Sequence, residues 1–142
     1  MPTPQESLLV AISRTRNALH RSMEPLFRAH GLTITQFSIL EALLHRGPLS
    51  VGQVRDAILG TPGNIPVVID NLERSGYVTR NRCATDGRVS LISITPTGQE
   101  LAERVFPLQA QRIEQLFASL DETEIADLLQ LLTKARASIE SV

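Results

Sequence analysis

The sequence predicts a mainly α-helical protein with one small β-hairpin. Apolar residues recur at intervals of three and four through most of the chain, which is the spacing of one face of a helix. The segment from Tyr77 to Ile94 differs, because it is rich in β-branched residues and contains the turn signal Asp86-Gly87. With 142 residues, of which 42% are apolar, the chain has the length of one domain with a buried core.

Composition excludes several classes of protein. The formal net charge is −1, which argues against indiscriminate coating of polyanions, although a local basic patch remains possible. One cysteine cannot form a disulfide scaffold or an all-cysteine metal site, and the three histidines lack a metal-ligand spacing. Ser, His and Asp all occur without a catalytic motif that organises them. We therefore expect neither an enzyme nor a bound metal or cofactor.

The N-terminus lacks the basic and apolar regions of a signal peptide, and the apolar runs are too short to span a bilayer. We therefore expect a cytoplasmic protein that does not enter a membrane.

Six helices follow from the apolar spacing and from the residues that begin and end helices. The first three are a long helix from Gln5 to about His30, a second capped by Thr33 or Thr35 and stopped at Gly47-Pro48, and a third capped by Ser50 and extending to Leu59. The last three are a helix over 63–74, a helix that starts at Thr95-Pro96, and a helix capped by Asp121. Pro25 and Pro107 lie inside the two longest helices, where a proline bends the backbone. The predicted strands are Tyr77–Arg80 and Arg88–Ile94, the second with imperfect alternation that allows a bulge.

A short helix pair followed by a hairpin is typical of a winged helix-turn-helix, in which the second helix enters the major groove of DNA and the hairpin reaches a neighbouring groove or the backbone. We therefore interpret residues 1–142 as a single domain. Residues 32–98 form the winged helix-turn-helix DNA-binding lobe, and residues 5–30 and 99–142 form dimerisation helices. The end regions carry apolar stripes that a lobe of this size cannot cover alone, so two-fold pairing with a second copy is predicted.

The candidate DNA contacts lie on the fourth helix, just before it, and on the hairpin. Residues 74–90 contain four arginines and one aspartate, a net charge of +3. Asparagine and threonine can read base edges, valine can contact a thymine methyl, and arginine suits phosphates or a narrow minor groove. The predicted DNA-binding residues are Ser50, Thr61, Gly63, Asn64, Pro66, Val67, Arg74, Arg82, Asp86 and Arg88.

Two of these residues allow alternatives. Pro66 would disrupt the middle of a helix, but in the first turn it removes no intrahelical hydrogen bond. The placement in the first turn is preferred. Arg88 is either part of a solvated hairpin tip, paired with Asp86, or a DNA contact that Asp86 orients; the winged context favours the contact.

Several motifs resemble the MarR family over nearly the whole chain. They are Gly31-Leu32-Thr33, Gln36-Phe37, Gly47-Pro48-Leu49-Ser50, Gly63-Asn64-Ile65, Val68-Ile69-Asp70-Asn71-Leu72-Glu73, Gly76-Tyr77-Val78, Asp86-Gly87-Arg88 and Ile94-Thr95-Pro96-Thr97-Gly98. The resemblance implies a homodimer on a pseudo-palindromic operator, usually a repressor released by a small phenolic or lipophilic ligand or by oxidation. Pro66 and Val67 depart from the family, which often has Thr or Ser and then Arg at these positions. The recognition helix therefore has few charged residues to read bases, and we expect shape readout and hairpin contacts to dominate.

Control of binding has two candidate elements in the sequence. Arg16 and His20, four residues apart on the first helix, can hold a carboxylate or phenolate, or they can be rim residues of the dimer interface. Cys83 lies among arginines in the hairpin loop, where its thiol is either oxidisable or incidental, and the incidental role is favoured. The alternative function is a winged-helix dimer that acts as a protein–protein interaction module without specific DNA binding.

Overall fold

The computed structural model describes residues 1–58 and 63–142. Its elements, in chain order, are α1 (Pro4–Arg28), α2 (Ile34–Arg46), β1 (Leu49–Ser50), α3 (Val51–Ala57), α4 (Ile65–Arg74), β2 (Val78–Arg82), β3 (Ser90–Ile94), α5 (Pro96–Leu116) and α6 (Glu122–Glu140). The predicted fold class, mainly helical with a small hairpin, is confirmed.

The hairpin belongs to an antiparallel sheet of three strands in the order β1-β3-β2. The sequence did not predict β1, because two residues are too few to show a period of two. The predicted strand limits were wrong at the hairpin tip: β2 continues to Arg82, and β3 begins only at Ser90. Between β2 and β3 the register is continuous from Val78↔Ile94 to Arg82↔Ser90, so no bulge interrupts these five pairs.

The helix starts are set by side-chain caps, as the sequence predicts for three of them. Thr33 rather than Thr35 caps α2, Ser50 caps α3 and Asp121 caps α6, each in a capping box with the residue three positions later. The predicted start of α4 at Gly63 was wrong. Asn64 has a φ of 62°, in the left-handed region, so the helix begins at Ile65.

The core lies where α2, α3 and α4 pack against the sheet and the first half of α5. Its fully buried side chains are Phe37, Ile39, Leu40, Leu43, Val54, Ile65, Ile69, Leu72, Val78, Ile92 and Val105. Phe27, at the end of α1, stacks on Phe37 with 4.8 Å between the ring centroids. The hydrophobic face of each short helix is thus used within the chain, which fixes the orientation of α4.

The chain forms two compact units, Met1–Ala110 and Gln111–Val142. In the first unit, α1 buries Phe27 alone and exposes a patch of large apolar side chains: Leu8, Leu9, Val10 and Ile12. In the second unit, α6 has no buried residue and exposes Ile125, Leu128, Leu129, Leu131, Leu132 and Ile139. Within residues 1–58 and 63–142, no helix is both long and apolar enough to cross a membrane.

Candidate nucleic-acid interface

Helix α4 divides into three faces with different surroundings. Ile65, Ile69 and Leu72 are buried in the core. A second face, formed by Pro66, Asp70 and Glu73, contacts strand β2. The third face is exposed, and it is the one that is free to contact another molecule.

The exposed stripe, as we call it, consists of Asn64, Val67, Asn71 and Arg74. Their spacing of three and four places them on one line along α4 and its approach. Val67 is 54% exposed, so its methyl groups are accessible to another molecule. Arg74 donates to the side-chain oxygen of Asn71 at 3.4 Å. The stripe therefore combines two amides, one apolar side chain and a single positive charge.

Asn64 and Pro66 occupy the start of α4 in ways that the sequence only partly predicts. Pro66 is the second residue of the helix, so the preference for the first turn is confirmed. Asn64 occupies the N-cap position but makes no side-chain capping bond, which leaves its exposed amide able to contact other groups. Gly63 precedes it in an exposed turn.

The hairpin tip is closed by Asp86 and Arg88. The Asp86 carboxylate accepts from the backbone N–H of Arg88 at 3.1 Å and from its Nε at 3.2 Å, and the carbonyl of Asp86 accepts from the N–H of Val89. The side-chain and backbone hydrogen bonds from Arg88 lower the pKa of Asp86, so its carboxylate stays ionised at neutral pH. The Arg88 side chain is nevertheless 91% exposed. Asp86 thus orients an arginine that still faces solvent.

Arg82 and Cys83 lie where β2 leaves the sheet. Arg82 is exposed and pairs in register with Ser90, so its guanidinium adds to the positive charge of the hairpin. The Cys83 thiol lies 3.1 Å from the hydroxyl of Thr85, and hydrogen bonds from Thr85 lower its pKa. The exposed stripe and the two exposed arginines give the lobe two accessible surfaces, one mostly neutral and one cationic.

The charge pattern groups Arg80 with the exposed arginines of the hairpin, but its guanidinium contacts α4 instead. It belongs to the basic segment 74–90, yet its Nη2 donates to the carbonyl of Pro66 at 2.9 Å and to Asp70 at 2.5 Å. Its backbone N–H donates to the carboxylate of Glu73 at 3.1 Å. The alternation of β2 could have indicated this, because Arg80 lies on the same side of the strand as the buried Val78.

The hairpin joins α5 through a close-packed junction. The hydroxyl of Thr95 donates to the carbonyl of Gly76 at 2.6 Å and accepts from the N–H of Gly98 at 3.1 Å. A Cβ on Gly98 would lie 2.2 Å from the carbonyl oxygen of Tyr77, which leaves no room for any other residue. The Thr-Pro-x-Gly motif therefore fixes the exit of α4 against the start of α5.

Comparisons with known proteins agree on the family. Residues 30–89, which include α2, α3, α4 and strand β2, match the sequence model of the MarR family. The HTH-type transcriptional regulator MhqR of Bacillus subtilis is 32% identical over 127 residues, covering 89% of this chain and 88% of MhqR. An uncharacterised HTH-type transcriptional regulator of the same organism, YkoM, is 36% identical over 108 residues, covering 76% of this chain and 70% of YkoM.

The chain belongs to the MarR family.

Solved structures of MarR-family proteins share the fold. A mutant of E. coli MarR complexed with operator DNA superimposes with a TM-score of 0.83 at 22% identity, covering 91% of this chain and 93% of that one. BpsR of Bordetella bronchiseptica, whose structure concerns regulation of DNA binding by 6-hydroxynicotinic acid, superimposes with a TM-score of 0.85 at 24% identity, covering 96% and 97%. The winged helix-turn-helix predicted from the sequence is thus confirmed as the fold of this chain.

Ser50 and Thr61 of this MarR-family lobe are both predicted phosphate contacts. Ser50 caps α3 by accepting from the N–H of Gln53 at 3.2 Å, so its predicted capping role is confirmed, while its phosphate contact stays a prediction. Thr61 lies outside the described residues, and its predicted contact also stays a prediction.

The predicted effector residues lie together on α1. The pKa of His20 is lowered by its partial burial and by the neighbouring charge of Arg16. His20 is therefore neutral at neutral pH, and Arg16 is the charged member of the pair.

A separate hollow of about 230 Å³ opens between α2 and the end of α3, lined by Ser38, Glu41, Ala42, His45, Arg46 and Ala57. Its α2 face is tied to α5 by a hydrogen bond from Gln109 to Glu41 at 2.8 Å and by an edge contact between His45 and Phe106. The sequence did not predict this hollow, because its polar residues read as an ordinary solvated helix face. Among the described residues, no cluster of His, Cys, Asp or Glu could hold a metal ion.

Proposed function

We propose that this MarR-family regulator is a homodimer that binds a pseudo-palindromic DNA operator sequence-specifically, with α4 in the major groove and the hairpin as the wing. It acts as a repressor that a small ligand releases. The observation that carries the proposal is the exposed stripe of α4 beside the exposed wing arginine Arg88, which Asp86 orients.

The two surfaces suit the two parts of DNA recognition. The amides of Asn64 and Asn71 can each donate and accept at base edges, and Val67 can contact a thymine methyl group. Arg82 and Arg88 supply positive charge for phosphates or for a narrow minor groove. Base contacts specify the site and phosphate contacts position the protein, so the stripe and the wing have complementary roles.

A dimer is supported by the apolar side chains that the single chain leaves uncovered. Leu8 and Leu9 on α1, and Leu129 and Leu131 on α6, are each more than half exposed. Patches of this kind mark contact surfaces, and a second copy of the same chain covers both in a two-fold assembly. Such an assembly places two recognition helices about 34 Å apart, one turn of DNA.

Release by a ligand is supported by the hollow beside α2 and by Arg16. The hollow offers the Arg46 guanidinium, the His45 imidazole and the Ser38 hydroxyl for a small polar aromatic molecule, while Arg16 offers a charge for a carboxylate or phenolate. A ligand that favours the non-binding arrangement by about 1–3 kcal/mol lowers the affinity for the operator five- to 150-fold.

The experiment is fluorescence anisotropy of the purified protein on the DNA immediately upstream of its own coding region, compared with scrambled DNA over a salt series. We expect tight binding that prefers the upstream sequence, with several units of slope in a plot of log affinity against log salt. Weak binding that is equal on the upstream and the scrambled DNA leads to a second experiment, in which the protein recovers fragments from the whole genome. If those fragments also bind no better than scrambled DNA, the proposal is contradicted. That result would favour the alternative, a winged-helix dimer that binds another protein.

A further inference from the structure

We infer that Arg80 is a positioning residue for sequence readout, which sets the angle of the recognition helix against the wing without touching DNA. The inference rests on the proposed DNA-binding function. It starts from a contrast among three arginines on and beside β2, since Arg82 and Arg88 point into solvent while Arg80 is turned toward α4.

Arg80 contacts α4 at three successive turns. Pro66, Asp70 and Glu73 are four and three residues apart, so they form one face of the helix. Nη2 of Arg80 joins the carbonyl of Pro66 to the carboxylate of Asp70, and the backbone N–H of Arg80 joins β2 to Glu73. One residue of the strand thus holds both the start and the end of a ten-residue helix.

These contacts bear on readout because of what lies next to them. Pro66 precedes Val67, and Asp70 precedes Asn71, so every contact of Arg80 is one residue from the exposed stripe. A base-edge hydrogen bond requires its donor and acceptor within a few tenths of an ångström of their normal separation. A small rotation of α4 about its axis would therefore misplace the whole stripe.

The geometry also argues that the contacts matter for orientation more than for stability. The Asp70 side chain is 51% exposed, and ion pairs near a surface contribute little to folding. The Nε of Arg80 is buried without a hydrogen-bond partner among the described residues, which is an unfavourable environment for a donor. The guanidinium is held there by the contacts of its Nη2.

The test compares two variants that remove the same charge, Arg80→Gln and Arg82→Gln. For Arg80→Gln we expect the affinity ratio of operator to scrambled DNA to fall about tenfold, which is within the range for contacts coupled through a backbone shift, with the salt slope unchanged. For Arg82→Gln we expect an unchanged ratio and a slope smaller by about 1. A merely structural role for Arg80 would lower the melting temperature and leave the ratio unchanged.

A second variant, Asp70→Asn, changes the net charge in the opposite direction. If charge alone decided binding, it would strengthen binding to every DNA. We expect it to lower the ratio as Arg80→Gln does, and the double variant to be no worse than either single variant. A salt slope for Arg80→Gln that falls by about 1, as for Arg82→Gln, would overturn the inference, because it would place Arg80 on a phosphate.

Hydrogen exchange of the DNA-free protein separates failure of this inference from failure of the proposed function. We expect Arg80→Gln, and not Arg82→Gln, to speed amide exchange in α4. Wild-type protein that binds no DNA specifically would overturn the DNA-binding function even if α4 responds this way. Unchanged exchange in α4 would overturn the positioning role even if the wild type binds its operator.

Discussion

Helix α4 and the wing are neighbours in the lobe, but they present different chemistry. The exposed stripe of α4 carries two amides, a valine and one arginine, whereas the wing exposes Arg82 and Arg88 on a tip that Asp86 orders. A family member with few charges on its recognition helix must obtain its phosphate attraction elsewhere. In the proposed function, the difference therefore gives sequence readout to α4 and most of the electrostatic attraction to the wing.

The largest effect, a loss of folding stability, is expected at the junction of the hairpin with α5, on which both the exposed stripe and the wing depend. Replacing Gly98 with alanine places a Cβ 2.2 Å from the carbonyl oxygen of Tyr77, between α4 and β2. We expect a loss on the order of 3 kcal/mol in the free energy of unfolding, because backbone must move to relieve the overlap. Thermal and urea unfolding measure it, with the exposed neighbour Thr97→Ala as the control. Equal stability of the two variants would contradict the packing of this junction.

The next largest effect is a loss of operator affinity that is specific to the exposed stripe. We expect Asn71→Ala to weaken operator binding by about 1–3 kcal/mol, because a base-edge contact is lost, and to leave the salt slope unchanged. Anisotropy on operator and scrambled DNA measures both quantities. Equal weakening on the two DNAs would remove Asn71 from sequence readout.

A smaller and opposite pattern is expected for the wing. Arg88→Ala removes one phosphate contact, so it weakens operator and scrambled DNA about equally and lowers the salt slope by about 1. The same salt series measures it, and Arg88→Lys, which keeps the charge, is the control that should retain most of the slope. If affinity and slope do not change, the wing does not contact DNA.

The smallest effect is expected at Cys83, within the wing but outside its cationic contacts. Its thiol contacts Thr85 of the same loop, and hydrogen bonds from Thr85 lower its pKa. We expect Cys83→Ser to bind the operator like the wild type, before and after treatment with hydrogen peroxide. Peroxide release of the wild type alone would establish a redox role instead.

The sequence predicts the fold well because each helix carries its own signals. Capping residues such as Thr33, Ser50 and Asp121 act on the nearest turn, so their roles are readable from a few adjacent letters. The start of α4 was misplaced because the Asn64 backbone is left-handed, and asparagine occurs both in that conformation and in ordinary turns and caps. Strand β1 was not predicted, because its two residues form a strand only by pairing with β3, which is distant in the sequence.

The candidate site is less predictable because its function depends on contacts between elements. Arg80, Arg82 and Arg88 have the same chemistry in the sequence; the alternation of β2 places Arg80 on the side of Val78, but the packing of β2 on α4 is what identifies its partners. The apolar stripes of α1 and α6 are equally visible in the sequence, but the chain itself does not specify which surface covers them.

The most direct test of the account uses the single cysteine of the chain, which lies in the wing. An iron chelate attached to Cys83 cleaves nearby DNA, and a second protein, Cys83→Ser with Ser75→Cys, carries the same reagent at the exposed C-terminal end of α4, next to the stripe but outside it. We predict symmetric cleavage that flanks the operator from the wing, and cleavage within two half-sites one helical turn apart from α4. Cleavage at the same positions from both labels, or cleavage spread evenly along the DNA, would contradict the division between the helix and the wing.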